Sequence, residues 1–160
     1  MDTNEKDSSR FLPGDNPSDC PYYLLTRASL QVTAILKKGF TDAGVEKVSP
    51  AYLGVLFALW QEDGLKSIDL GRNAGLEPSS MTGLIDRMER DELVYRAPDA
   101  NDRRVQRIFL TDTGRNARGA VFNVVDSILS DVFRDISAED LSRTKDVLQR
   151  VLYNAQARRK

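Results

Sequence analysis

Apolar residues at helical spacing mark the central stretch of the chain, between Leu65 and Gly114. Four of them recur at intervals of three and four residues: Met81, Leu84, Ile85 and Met88. This spacing places them on one side of a helix. Pro78 suits the first turn, where its missing N–H is not needed, and acidic Glu77 before it favours the positive helix end. The pattern predicts a short amphipathic helix that begins at Pro78.

The opposite face of this predicted helix is polar. It carries small and charged residues, namely Ser79, Ser80, Thr82, Gly83, Asp86, Arg87 and Arg90. Hydroxyl groups can bond phosphates and base edges, and arginine can donate paired hydrogen bonds to guanine or phosphate. Such a face suits a helix that enters a DNA groove, although periodicity alone fits an ordinary solvated helix equally well. We expect Asp86 to bond within the domain rather than to read a base.

The segments on either side of this helix sharpen the prediction. Residues 68–74 form a short helical segment that Gly75 closes, as in the turn of a helix-turn-helix. Residues 93–96 and 105–110 are predicted to pair as strands, with a polar loop at 97–104. A tiny strand at 66–68 is predicted to add a third member. A helix-turn-helix followed by a charged hairpin is the order of a winged helix.

Three segments resemble the MarR family of bacterial transcription regulators: residues 70–94, the run Asp99-x-x-Asp102-Arg103-Arg104, and Leu110-Thr111-x-x-Gly114. The resemblance implies a mainly α fold with a small β-hairpin, in which N- and C-terminal dimerisation helices accompany a winged helix-turn-helix. It also implies a sequence-specific repressor that binds an inverted-repeat operator as a homodimer. A small phenolic or lipophilic ligand would release it from double-stranded DNA.

The hairpin loop carries Arg103 and Arg104, which we expect to reach the minor groove, where narrow A·T tracts attract arginine. The alternative is a charged turn that only keeps the hairpin soluble. The resemblance implies that Asp99 and Asp102 orient the wing, with Asp102 pairing with one arginine while the other reaches DNA. Which arginine does which stays open. The complete predicted set of DNA contacts is Pro78, Ser79, Ser80, Thr82, Gly83, Arg87, Arg103, Arg104 and Arg107.

Long helices are predicted on both sides of the winged helix. One begins at Pro21 and runs to about residue 42, and another begins at Ser49-Pro50 and stops near residues 63–64. Thr111 is predicted to cap a helix that runs to about residue 134. Ser137-x-x-Asp140 resembles a capping box and starts the last helix. These boundaries divide the chain into a flexible arm (1–19), a helical dimerisation region (20–48 and 115–160) and a DNA-binding region (49–114).

The apolar residues of these long helices exceed what one domain core needs. After the hairpin they include Val121, Val124, Val125, Ile128, Leu129, Val132 and Phe133, and later Leu141, Val147, Leu148, Val151 and Leu152. A two-fold dimer in which the first and last helices of both chains interlock would cover them. The resemblance implies the same arrangement.

Composition narrows the classes of function. The chain has 160 residues, of which 41% are apolar and 29% charged, as in a globular protein of one domain. It has no histidine and one cysteine, which removes most zinc sites and the usual catalytic triads, and no catalytic constellation is visible. We therefore expect no enzyme activity, no metal and no cofactor. The polar start lacks the order of a signal peptide, and no long apolar run exists, so we expect a cytoplasmic protein without membrane contact.

Charge permits DNA binding through its distribution rather than its sum, which is −1. Residues 96–118 hold six arginines against three aspartates, a local excess of three positive charges. The chain also ends in Arg158-Arg159-Lys160. A dimer would present two copies of each positive patch.

Two sensing mechanisms and one further class of protein stay open. An aromatic set could line a ligand pocket, although plain core packing explains each member at least as well: Tyr22, Tyr23, Tyr52, Phe57 and Trp60. Cys20 could sense peroxide, as in some relatives, but no histidine or lysine lies nearby in sequence to lower its pKa. A winged helix can also bind a protein partner without touching DNA.

Overall fold

The structure is a computed structural model that describes residues 16–74 and 76–158. Within those residues the elements are α1 (Pro21–Asp42), α2 (Leu53–Gln61), β1 (Leu65–Lys66), α3 (Ser67–Ala74), α4 (Pro78–Arg90), β2 (Val94–Pro98), β3 (Gln106–Leu110), α5 (Asp112–Val132) and α6 (Ala138–Ala157). Short 3-10 turns cover Pro17–Asp19 and Pro50–Tyr52. The predicted arm falls mostly outside the described residues, as does Gly75.

The wing is a three-stranded antiparallel sheet in the order β1-β3-β2. The predicted third strand is confirmed, but it occupies Leu65–Lys66 rather than residues 66–68. The predicted loop was too long, because Ala97 and Pro98 pair with Arg107 and Gln106 and so belong to β2. Pro98 can end a strand because the ladder no longer needs its missing N–H there. Cross-strand pairing, rather than local propensity, set this boundary.

The apolar stripe of α4 lies in the core, as its spacing predicts. All four of its members are buried: Met81, Leu84, Ile85 and Met88. They share one core with residues of α1, α2, the sheet and α5, namely Leu36, Phe40, Leu56, Leu59, Val94, Ile108 and Val121. The polar face of α4 is therefore turned outward by the burial of its apolar side chains.

One helix start and one helix end differ in detail from the sequence prediction. Ser49 does accept a hydrogen bond, from the Ala51 N–H at 3.4 Å, but it caps a 3-10 turn, and α2 begins only at Leu53. Thr111 caps α5 by accepting from the Gly114 N–H at 3.0 Å, and the helix ends at Val132 rather than near residue 134. Ser137 caps α6 by accepting from the Asp140 N–H at 3.1 Å, as the capping box predicts.

The end of α4 is tied to the beginning of α5. The Thr111 hydroxyl donates to the Glu92 carbonyl at 2.6 Å, and the Thr111 N–H donates to the Leu93 carbonyl at 3.1 Å. Gly114 packs directly against Leu93, the residue before β2, since a Cβ on Gly114 would lie 2.1 Å from the Leu93 carbonyl oxygen. Glu92 itself has a φ of 59°, a left-handed conformation that glycine normally occupies after a helix. Its carboxylate pairs with Lys47.

Helix α6 is amphipathic in sequence, yet none of its residues is buried within this chain. Its apolar side chains are exposed instead, among them Val147, Val151, Leu152 and Tyr153. Helix α1 similarly exposes Tyr22, Leu24 and Leu30. Both helices therefore present apolar surface that one chain leaves uncovered.

Candidate nucleic-acid interface

The outward face of α4 offers polar groups that make few bonds within the protein. Ser79, Ser80, Thr82 and Arg87 are exposed, and Pro78 stands at the exposed first turn. The Thr82 hydroxyl donates to the Pro78 carbonyl at 2.9 Å. Among the described residues, the Arg87 side chain makes no hydrogen bond or ion pair, although its carbonyl accepts from the Asp91 N–H at 2.9 Å. Its guanidinium is therefore available to an external acceptor.

The loop of the wing shows which of its two arginines pairs with Asp102. Arg104 Nε lies 3.1 Å from Asp102 Oδ1, so Asp102 pairs with Arg104. Arg103 makes no hydrogen bond or ion pair in the part of the chain that the structure describes. The Arg104 side chain is still 91% exposed, so its pairing with Asp102 does not remove it from solvent. Both arginines stand at the tip of the hairpin.

The buried Asp99 side chain holds the loop of the wing together through hydrogen bonds. It is 5% exposed and accepts from the Asn101 N–H at 2.8 Å, the Asp102 N–H at 3.3 Å and Arg107 Nε at 2.5 Å. Arg107 Nη1 also donates to the Gly64 carbonyl at 2.7 Å. Sequence reasoning placed Arg107 among the DNA contacts, whereas its guanidinium is bonded within the domain. Asp99 and Arg107 thus fasten the base of the wing to the turn before β1.

The hydrogen bonds to Asp99 are expected to make the folding stability depend on pH. The Asn101 N–H and the Arg107 guanidinium lower the pKa of Asp99 from 3.8 to about 2, because both favour the charged carboxylate. A group with a lowered folded pKa stabilises the fold above its unfolded pKa and loses that effect as pH falls. We therefore expect Asp99→Asn to be less stable than the wild type at pH 7. The difference should shrink as pH falls from about 4 to about 2, as measured by denaturant unfolding at a series of pH values. A difference that stays constant over this range would contradict the assignment.

Arg96 is a site residue that sequence reasoning counted only as a positive charge. It lies on β2, and its N–H donates to Glu89 Oε1 at 2.9 Å. Its guanidinium binds the other carboxylate oxygen of Glu89, Asp86 Oδ1 at 2.7 Å and the Thr82 carbonyl at 3.3 Å. The expectation that Asp86 bonds within the domain agrees with this contact. Arg96 therefore holds the wing against three residues of α4 that lie about one helical turn apart.

The predicted ligand-pocket aromatics are only partly brought together. Phe57 and Trp60 have ring centroids 5.9 Å apart, and Phe122, which sequence reasoning missed, lies 5.3 Å and 5.7 Å from them. Tyr52 instead is buried and donates to Asp91 Oδ2 at 2.7 Å. The pKa of Tyr52 is raised to about 12, mainly because the phenol is buried and secondly because it donates to Asp91.

The remaining candidates are separate from that aromatic cluster. Tyr22 is 76% exposed and Tyr23 is 40% exposed on α1. Cys20 is a half-buried free thiol at the residue before α1, and its side chain makes no capping bond. Within the described ranges, no group of three or more His, Cys, Asp or Glu side chains could hold a metal ion. None of the helices described here combines the length and apolar character needed to cross a bilayer.

A cleft of about 710 Å³ runs between α3, α4 and the wing. Its walls include apolar Ile68, Leu76 and Met81, together with Thr82 and Arg104. The cleft thus adjoins the polar face of α4 and the hairpin tip. These parts form one continuous surface.

A helix-turn-helix that exposes a polar second helix, followed by a hairpin with arginines at its tip, defines a winged helix-turn-helix protein. A model of the MarR family matches residues 48–105. The transcriptional activatory protein BadR of Rhodopseudomonas palustris (strain ATCC BAA-98 / CGA009) is 30% identical over 148 residues, which cover 88% of this chain and 85% of BadR. The chain belongs to the MarR family of DNA-binding transcriptional regulators.

Two other similar proteins extend the comparison. The HTH-type transcriptional regulator TtmR of Methylorubrum extorquens (strain PA1) is 42% identical over 74 residues, 46% of this chain but only 37% of TtmR. CouR from Rhodococcus jostii RHA1, whose crystal structure is bound to p-coumaroyl-CoA, has a sequence 27% identical to this chain. That match has a TM-score of 0.73 and covers 88% of this chain and 96% of CouR. TtmR is named as a transcriptional regulator and BadR as a transcriptional activatory protein.

Proposed function

We propose that this regulator is a repressor that reads an inverted-repeat operator as a homodimer, with α4 of each subunit in a major groove. One observation carries the proposal: the apolar side of α4 is entirely buried, which leaves Ser79, Ser80, Thr82 and Arg87 facing outward. Hydroxyls bond phosphates and base edges, and a free arginine forks onto guanine. Pro78 and Gly83 complete the same face.

The wing supplies the second contact of each subunit. Arg103 and Arg104 at the hairpin tip would enter the neighbouring minor groove, where they add mostly electrostatic affinity. Asp102 would orient Arg104 through the 3.1 Å ion pair. Asp99 and Arg107 would hold the base of the wing rigid, and Arg107 keeps a partly exposed side chain beside it.

The exposed apolar side chains of α1 and α6 support the dimer. Each such side chain, once fully buried, contributes about 1.5–3 kcal/mol, so several per subunit would outweigh the entropy of association. A two-fold arrangement then places the two copies of α4 about one helical turn of DNA apart. Sedimentation should show two subunits at working concentration, and a single subunit that ignores DNA would overturn the proposal.

A small phenolic or lipophilic ligand would release the repressor by favouring a dimer geometry that no longer fits the operator. CouR, bound to p-coumaroyl-CoA, supports a ligand of this class. Phe57 and Trp60 are the predicted aromatics that lie together, so the ligand would contact them. BadR is named as an activatory protein. Transcription from a promoter that carries the operator, measured with and without the regulator, therefore decides whether this chain represses or activates.

The double variant Arg103→Ala/Arg104→Ala tests the wing. Duplexes bound by the wild type are first selected from a random pool, and affinities are then measured over a range of salt. We expect affinity to fall evenly for operator and unrelated DNA, and the salt slope to decrease by about 4 because the dimer loses two phosphate-directed charges in each subunit. The matched control is Arg134→Ala/Arg143→Ala, which removes two exposed arginines that pair with Asp131 and Glu139. An unchanged slope in the wing variant would contradict its role.

A further inference from the structure

Gly83 occupies a position where the protein itself has no need of glycine. It lies in the middle of α4, where glycine is the least favourable residue after proline. The glycines with a positive φ among the described residues are Gly44 and Gly64, so Gly83 has no left-handed backbone to maintain. A Cβ on Gly83 would meet only Arg87 Nη1, at 3.7 Å, which is an ordinary contact.

Gly39 and Gly114 do have a reason within the fold. A Cβ on Gly114 would lie 2.1 Å from the Leu93 carbonyl oxygen, and one on Gly39 would lie 2.7 Å from Ile128 Cδ1. Gly83 has no such neighbour, and neither have the helical Gly54 and Gly119. Gly83 differs from those two because it lies on the polar face of α4, so the missing side chain would serve whatever approaches this face.

The position of Gly83 on the helix identifies that direction. At 100° per residue, Gly83 lies opposite the centre of the buried stripe formed by Met81, Leu84, Ile85 and Met88. Ser79 and Arg87 lie four residues before and after it, on the same ridge. Gly83 is itself half-buried, but by its angular position it lies at the crest of the polar face, and it would be the part of α4 that enters a groove most deeply.

We infer that Gly83 determines specificity by letting the backbone of α4 lie directly against the base edges of the major groove. A helix with side chains is about 10–12 Å across and the groove is about 12 Å wide, so the depth of insertion is limited by the crest. A methyl group there would hold the helix back by about one carbon–carbon bond. Hydrogen bonds from Ser79 and Arg87 to base edges would then exceed the range of about 2.7–3.2 Å in which they are strong. This inference rests on the proposed role of α4 in DNA reading.

The test compares Gly83→Ala with a matched control, Gly119→Ala. Gly119 lies inside α5, is exposed, and a Cβ on it would meet nothing within 4 Å. Both variants exchange a helical glycine for the best helix former, so we expect each to raise the melting temperature by about 2–4 °C. Gly83→Ala should nevertheless bind the selected operator at least about tenfold more weakly, with unchanged affinity for unrelated DNA. Gly119→Ala should bind both like the wild type.

A third variant, Arg87→Ala, separates this inference from the proposed function. If Arg87→Ala loses operator affinity and Gly83→Ala does not, the crest does not limit insertion and the inference fails, while α4 remains the reading helix. If neither variant changes operator affinity, the proposed function of α4 fails. A lower melting temperature of Gly83→Ala, or an equal loss for operator and unrelated DNA, would also overturn the inference, because glycine would then serve the fold or general docking.

Discussion

Replacing Gly114 by alanine is expected to remove about 3 kcal/mol or more of folding free energy, since overpacking against rigid backbone is among the most damaging core changes. The added Cβ would lie 2.1 Å from the Leu93 carbonyl oxygen and 3.1 Å from its carbonyl carbon. No side-chain rotation can relieve a contact with backbone. Leu93 is also held there, because its carbonyl accepts the Thr111 N–H at 3.1 Å. Thermal and denaturant unfolding measure the effect.

The control for this prediction is again Gly119→Ala, which makes the same chemical change in the same helix with open space around it. It should melt about 2–4 °C above the wild type. A Gly114→Ala protein that melts within about a degree of the wild type would show that the junction of α4, β2 and α5 yields easily. The glycine of the Leu110-Thr111-x-x-Gly114 motif would then not be required by the packing of this junction.

Replacing Arg96 by methionine is the second change with a large expected effect, and its target is DNA reading. Hydrogen bonds to charged groups contribute about 1.5–3 kcal/mol each, so losing the contacts to Asp86 and Glu89 should weaken operator binding about 10- to 100-fold. Methionine retains the apolar stem but frees the wing from α4. It also leaves two carboxylates uncompensated beside the proposed DNA surface. Operator and unrelated DNA are compared at one salt concentration and by salt titration.

Arg96→Lys and the double variant Arg96→Met/Glu89→Gln distinguish geometry from charge. Lysine restores the positive charge but not the planar fork, so it should recover affinity for unrelated DNA and only part of the preference for the operator. The double variant removes one unpaired carboxylate and should likewise recover general affinity alone. If lysine restores the full preference, Arg96 acts through charge and its bracing of α4 is unimportant. If Arg96→Met binds the operator as the wild type does, Arg96 has no positioning role.

Local patterns in the sequence were sufficient to place most elements and the outward face of α4. The spacing of Met81, Leu84, Ile85 and Met88 predicted both the helix and its buried side, and the caps at Thr111 and Ser137 were confirmed. These features depend on residues within one or two turns of each other. Their physical causes, the helical period and the unpaired N–H groups of a helix start, can therefore be read along the chain.

Partners in ion pairs could not be predicted in the same way. The sequence offered Arg96, Arg103, Arg104 and Arg107 to Asp86, Asp99 and Asp102, and nearly every pairing was compatible with it. The structure pairs Arg107 with Asp99, Arg104 with Asp102, and Arg96 with Asp86 and Glu89. The contacts of the predicted ligand-pocket aromatics could not be predicted either. Tyr52 donates to Asp91, whereas Phe57 and Trp60 pack against Phe122.

The sequence by itself thus determined the order of helices and strands, the side of α4 that is buried and, through its motifs, the family. Only the tertiary structure decided which arginine is left free at the wing, which one braces α4, and which glycine the fold requires. The reason is physical: periodicity and capping act between near neighbours in sequence, whereas ion pairs and close contacts depend on distances of a few ångströms between segments that folding brings together.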